Sequence, residues 1–233
     1  MIKKILVLMP FLLLLLAGCG SSARETTLSL SKKGILTQTI VEDWDQDYYD
    51  QSELEKEMEA AVDANPKVTM KSFRIKNGKA TATLVYESAE AYMDFNGVTC
   101  FWGTAAEAVA AGYSLAGEYL DSEGNDVSLT AILSDDKPYY VMILTEPVAV
   151  ELPGKIFCAS PVVEIRDRKH ARVTTQKVQP GEKSAVPENA AEAGDGAGAQ
   201  ESSSAQGGQN ASGSSGEDGL QIWLDEPAYI VYR

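Results

Sequence analysis

Residues 179–219 read QPGEKSAVPENAAEAGDGAGAQESSSAQGGQNASGSSGEDG, and no other stretch of the 233-residue chain restricts its fold as strongly. These 41 residues hold nine of the chain's 19 glycines and a single Val, with no aromatic residue, Leu or Ile. Such a segment buries too little apolar surface to offset the entropy of ordering it. Its composition predicts a disordered low-complexity insertion. The C-terminal residues beyond it have the opposite character. Leu220–Leu224 and Ala228–Tyr232 are dense in strand formers, yet 14 residues are too few to fold alone. Residues 220–233 are therefore expected to return to one domain whose other part is 26–178. The alternative is a detached binding peptide.

Residues 26–178 plus 220–233 make 167 in all, enough for one good core. Patterning predicts an α+β fold, a single domain of mainly antiparallel sheet with two or three short helices. Thr26–Ser31 and Ile35–Glu42 flank the turn Lys32-Lys33-Gly34. Val68–Lys76 and Lys79–Glu87 flank Asn77-Gly78, the strongest hairpin signal present. Ser52-Glu53-Leu54-Glu55 reads as a capping box opening a helix with the apolar stripe Leu54, Met58, Ala61, Val62, closed at Asn65-Pro66. A short helix is expected from Ser88 to Phe95, and another after the box Thr104-Ala105-Ala106-Glu107. Short strands are expected at 127–133, 139–144, 147–152, 155–160, 162–166 and 171–178, separated by turn residues.

The chain opens MIKKILVLMPFLLLLLAGC, with Lys3 and Lys4 before a twelve-residue apolar run, Ile5–Leu16. As a helix that run spans roughly 18 Å, well short of a bilayer's ~30 Å hydrocarbon core. It reads as a signal peptide, residues 1–18. The run ends in Leu16-Ala17-Gly18-Cys19, which resembles the lipobox of bacterial lipoproteins. The resemblance implies that Cys19 receives a diacylglyceryl group and that cleavage falls just before it. Residues 19–25 would then form a lipidated Cys and a short tether reaching about 20–25 Å. It further implies an extracytoplasmic, lipid-anchored location at the cell membrane and says nothing about activity. The later run of capped helix, Asn77-Gly78 hairpin, Phe95-Asn96-Gly97, Phe101-Trp102-Gly103-Thr104 and Pro153-Gly154-Lys155-Ile156 resembles lipoproteins of anaerobic Gram-positive gut bacteria. That group has no assigned activity.

Charge narrows the functional classes. With 20 Lys+Arg against 34 Asp+Glu the formal charge is −14, the reverse of a nucleic-acid binder's footprint. The charge is uneven. Glu42–Asp63 holds ten acids and one Lys, whereas 164–177 holds two acids and five Lys/Arg. Within the acidic pole, Asp43, Asp45 and Asp47 have the spacing that starts a calcium loop. The sixth and twelfth positions are Tyr48 and Leu54 instead of Gly and Glu, so the motif fails at its turn and its bidentate ligand. The other readings are an acidic loop before a helix, or an aromatic and acidic rim for a sugar or cationic ligand. That rim would comprise Asp43, Trp44, Asp45, Asp47, Tyr48, Tyr49 and Asp50.

The basic cluster Arg166, Arg168, Lys169 and Arg172 reads as gatekeeper charge on an edge hairpin, or as a foot against anionic lipid heads or wall polyanions. Cys100 and Cys158 lie in apolar strand-like runs and could be a disulfide or two buried thiols. A Cys–His hydrolase would have to use His170, which sits in a charged turn. No residue pattern calls for a metal or cofactor, and no catalytic residue is assigned. The chain reads as a non-catalytic envelope module that binds a ligand, a glycan or a partner protein. The alternatives are an envelope glycan-active enzyme using acidic residues and a structural or assembly lipoprotein.

Overall fold

The computed structural model describes residues 25–44, 50–130, 138–178 and 224–233. The expected signal peptide (residues 1–18), the expected lipid-bearing Cys19 and the low-complexity segment 179–219 lie outside these residues. Among the described residues no helix is long and apolar enough to cross a membrane. In chain order the elements are β1 (Thr27–Leu30), β2 (Leu36–Asp43), α1 (Gln51–Asp63), β3 (Val68–Lys76), β4 (Lys79–Tyr86), α2 (Ala89–Asn96), β5 (Cys100–Thr104), α3 (Ala105–Ala110), β6 (Tyr140–Leu144), β7 (Ala149–Glu151), β8 (Ile156–Ala159), β9 (Val163–Ile165), β10 (His170–Val173) and β11 (Ala228–Tyr232). The chain is α+β, with the short helices α1 to α3 and mainly antiparallel strand pairing among the described residues, as its patterning leads one to expect. Its described residues divide into two compact units, one within 1–97 and 148–153 and the other within 98–147 and 154–233.

In the first unit the strands run in the order β3-β4-β2-β1-β7. All pairs are antiparallel except β1 with β7, where Thr27 lies beside Ala149. Asn77 and Gly78 take positive φ of 55° and 68°, the backbone a two-residue hairpin turn requires. Register builds the core face layer by layer. Leu36 lies beside Tyr86, Gln38 beside Leu84, Ile40 beside Ala82 and Glu42 beside Ala80. On the other side of β4, Val68, Met70, Phe73 and Ile75 continue the same rows. Their numbering changes parity because a bulge lies between Met70 and Ser72. The extra residue keeps Phe73 and Ile75 on the apolar face, where an uninterrupted strand would have turned them away.

Helix α1 starts two residues earlier than its sequence signal. Asp50, and not Ser52, is the N-cap, and its carboxylate accepts from the N–H groups of Ser52 and Glu53 at 2.7 and 3.1 Å. Both Asp and Ser cap well, but a carboxylate also complements the helix's positive end. Leu54, Met58 and Val62 are half-buried, Ala61 is exposed, and no residue of α1 is fully buried.

The second unit holds the sheet β5-β6-β11-β8 and the antiparallel β9–β10 hairpin. Strand β11 lies inside that sheet, hydrogen-bonded to β6 on one side and to β8 on the other. Its residues Ala228, Ile230, Val231 and Tyr232 are all buried. One core cluster joins Ala105, Ala108, Tyr139, Val141, Ile143, Cys158 and Val231. Thr104 caps α3 through a complete capping box with Glu107, as its sequence signal requires. Residues 127–130 of the strand expected at 127–133 are not strand, and 131–133 lie outside the described residues. Asp126 makes only an isolated bridge to Leu120, and residues 129–130 are helical directly after Ser128, a residue type favoured where helices begin.

Candidate functional site

The acidic pole is split between local structural work and a groove. Asp43 ends β2 and accepts from Lys79 Nζ at 2.6 Å across the hairpin. Trp44 N–H donates to Gly78 O at 2.8 Å, which holds the chain against the turn as it leaves the sheet. Asp50 caps α1. Asp45, Asp47, Tyr48 and Tyr49 lie outside the described residues. Asp43, Trp44 and Asp50 do come together, on the rim of an open groove of about 650 Å³ between α1 and the strands. That volume is typical of a small-molecule site.

The floor of the groove is set by register. Ile40, Ala82 and Phe73 form one row across β2, β4 and β3, with Ala80 in the row beside it. Alanines at the two central positions leave space that larger side chains would fill. Helix α1 supplies Leu54 and Met58 as the apolar wall, and Trp44 stands at one end. Five exposed carboxylates, Glu42, Asp43, Asp50, Glu53 and Glu57, ring the opening. An apolar trough with an anionic rim suits a ligand that carries positive charge on an apolar body. Aromatic faces such as Trp44 and Phe73 add attraction for alkylammonium groups. Of the groove's lining, the sequence reading singled out Asp43, Trp44 and Asp50; Glu42, Glu53, Glu57 and the whole floor were not among its candidates. The available signal was the alternation Ala80-Thr81-Ala82, two small residues on the face where neighbouring strands carry Ile and Phe. Among the described residues, no group of three His, Cys, Asp or Glu side chains is placed to hold a metal ion.

Cys100 and Cys158 are separate buried thiols. Burial pushes Cys100 and Cys158 each up to about 12, so neither is a thiolate nucleophile near neutral pH. The basic cluster divides into two groups. Arg166 Nε lies 3.5 Å from Glu164, and Arg172 stands opposite Glu164 across the hairpin. Arg168 and Lys169 instead join Lys155 and His170 around a second hollow, of about 380 Å³. Lys155 comes from the start of another strand, which is why no sequence window contains it.

No protein-family model matches the chain, and no curated protein or solved structure matches it.

Proposed function

We propose that this chain is a lipid-anchored extracytoplasmic envelope protein that acts by binding, with the groove between α1 and the first unit's strands as its ligand site. The ligand class is an organic cation with an apolar body, such as an alkyl polyamine. The observation that carries this reading is the groove: apolar floor, aromatic end and five rim carboxylates within about 650 Å³. The lipobox-like Leu16-Ala17-Gly18-Cys19 supports the anchor. Non-catalytic action is supported by the exposure of the rim carboxylates and by the prior engagement of Asp43 and Asp50.

The full chain is titrated with spermidine, with a neutral diol of similar length and with magnesium, following the Trp44 environment and the melting temperature. Spermidine is expected to bind and the other two to bind more weakly. Glu53→Gln with Glu57→Gln should weaken spermidine about fivefold, the size expected for two exposed charges. A chain that binds no probe at the groove overturns the site. In the producing cell, Cys19→Ala should leave the protein uncleaved or shed, and a variant processed and membrane-bound as before overturns the anchor.

A further inference from the structure

Arg168 and Lys169 stand exposed at the tip of the β9–β10 hairpin. Ile156 N–H donates to Arg168 O at 2.8 Å, which ties the tip to the start of β8 and brings Lys155 alongside. Together with Asp167 and His170 these side chains line the second hollow. Its one carboxylate is turned into the hairpin. Asp167 Oδ1 accepts from the N–H groups of Lys169 and His170 at 2.8 and 2.9 Å, and Oδ2 lies 2.7 Å from His170 Nδ1. Neither Arg168 nor Lys169 forms an ion pair among the described residues. Lys155 Nζ lies 5.2 Å over the Phe157 ring, in a cation–π contact that leaves its charge unneutralised.

We propose that this face, centred on Lys155, Arg168 and Lys169, docks the protein against the phosphodiester headgroups of an anionic phospholipid surface. Two observations select a surface over a free phosphate ion. The two turn N–H groups that would cradle a small anion are already bonded to Asp167. What remains is a set of long-stemmed cations around an open hollow, which grips a single ion poorly but adds up against an array of phosphates. The formal charge of −14 opposes the approach, so attraction must come from this local cluster. Screening over about 8 Å at physiological salt lets a local cluster act on its own. Arg166 and Arg172, held beside Glu164, are not part of the contact.

The test is partition of the full chain onto phosphatidylcholine vesicles with and without phosphatidylglycerol. The leader, with Lys3 and Lys4, is common to every variant, so differences between variants isolate the hairpin. The parent should prefer the anionic vesicles. Lys155→Gln with Arg168→Gln and Lys169→Gln should cut the anionic-over-zwitterionic ratio about a hundredfold, and Lys169→Gln alone about fivefold. Arg166→Gln with Arg172→Gln should leave the ratio nearly unchanged. All substituted positions are exposed or half-exposed, and an unshifted thermal melt checks that each variant folds. A parent without anionic preference, or a triple variant that keeps it, overturns the proposal. Displacement of the parent by inorganic phosphate at constant ionic strength identifies a small-anion site and overturns it as well.

Discussion

Gln38 is the one buried polar side chain among the described residues. Tyr86 OH donates to its Oε1 at 2.7 Å, and its Nε2 donates to Tyr92 OH at 3.3 Å. The two tyrosine rings meet edge to face with centroids 4.9 Å apart. A buried amide left without a partner costs about 1–3 kcal/mol, whereas removing both partners together can be nearly neutral. Tyr86→Phe should therefore destabilise the chain by roughly that amount in urea unfolding. Tyr86→Phe combined with Gln38→Leu should recover part of the loss, and a double variant no better than the single would contradict this. The triad was not legible in sequence. Gln38 falls on the buried parity of its strand, but its partners lie on β4 and α2, where nothing in their local pattern advertises a shared amide.

Among the elements, α3 has the most explicit electrostatics. The Thr104 N–H, at 2.7 Å, and then its hydroxyl, at 2.8 Å, hold the Glu107 carboxyl below its ordinary value of 4.5. A carboxyl depressed by folding stabilises above its unfolded pKa, and that contribution is lost as pH falls through the folded value. The box should thus be intact above about pH 4.5 and open as the solution becomes more acid. An NMR titration should place the Glu107 midpoint below 4.5, with the α3 amides following the same curve. Thr104→Val should raise the midpoint, because only the backbone donor remains. This box was plain in sequence because both its partners lie within one turn. The N-cap of α1 was displaced because Asp50 and Ser52 are both good caps, and the carboxylate's added attraction to the helix's positive end favours Asp50. The Asn77-Gly78 hairpin was legible for a steric reason, since its φ values suit few residue pairs. The groove floor and the Lys155 contribution were not, since each depends on pairing between distant strands.

Across the whole molecule, the C-terminal strand-dense run is bound on both sides. Val231 pairs with Val141 and with Cys158 and has no exposed surface. Gly154 admits this arrangement: a Cβ there would lie 2.6 Å from Arg233 O. The 179–219 segment, by composition, contributes little apolar surface to any core. Limited proteolysis that cuts only within 179–219 should therefore leave both fragments co-eluting on a sizing column, separable only in denaturant. Dissociation under native conditions would show that β11 is held far more weakly than its burial indicates.

The position of β11 also sets the timing of the protein's assembly. A sheet built outward from neighbouring strands can close while later residues are still being made. Here the strand that bridges β6 and β8 arrives only with residues 228–232, after the long low-complexity segment has passed. The first unit likewise waits for β7, residues 149–151, to pair with β1. Closing loops of such length before any pairing rewards them makes folding slow. Until those residues emerge, the edges of β6 and β8 stay open to wrong partners.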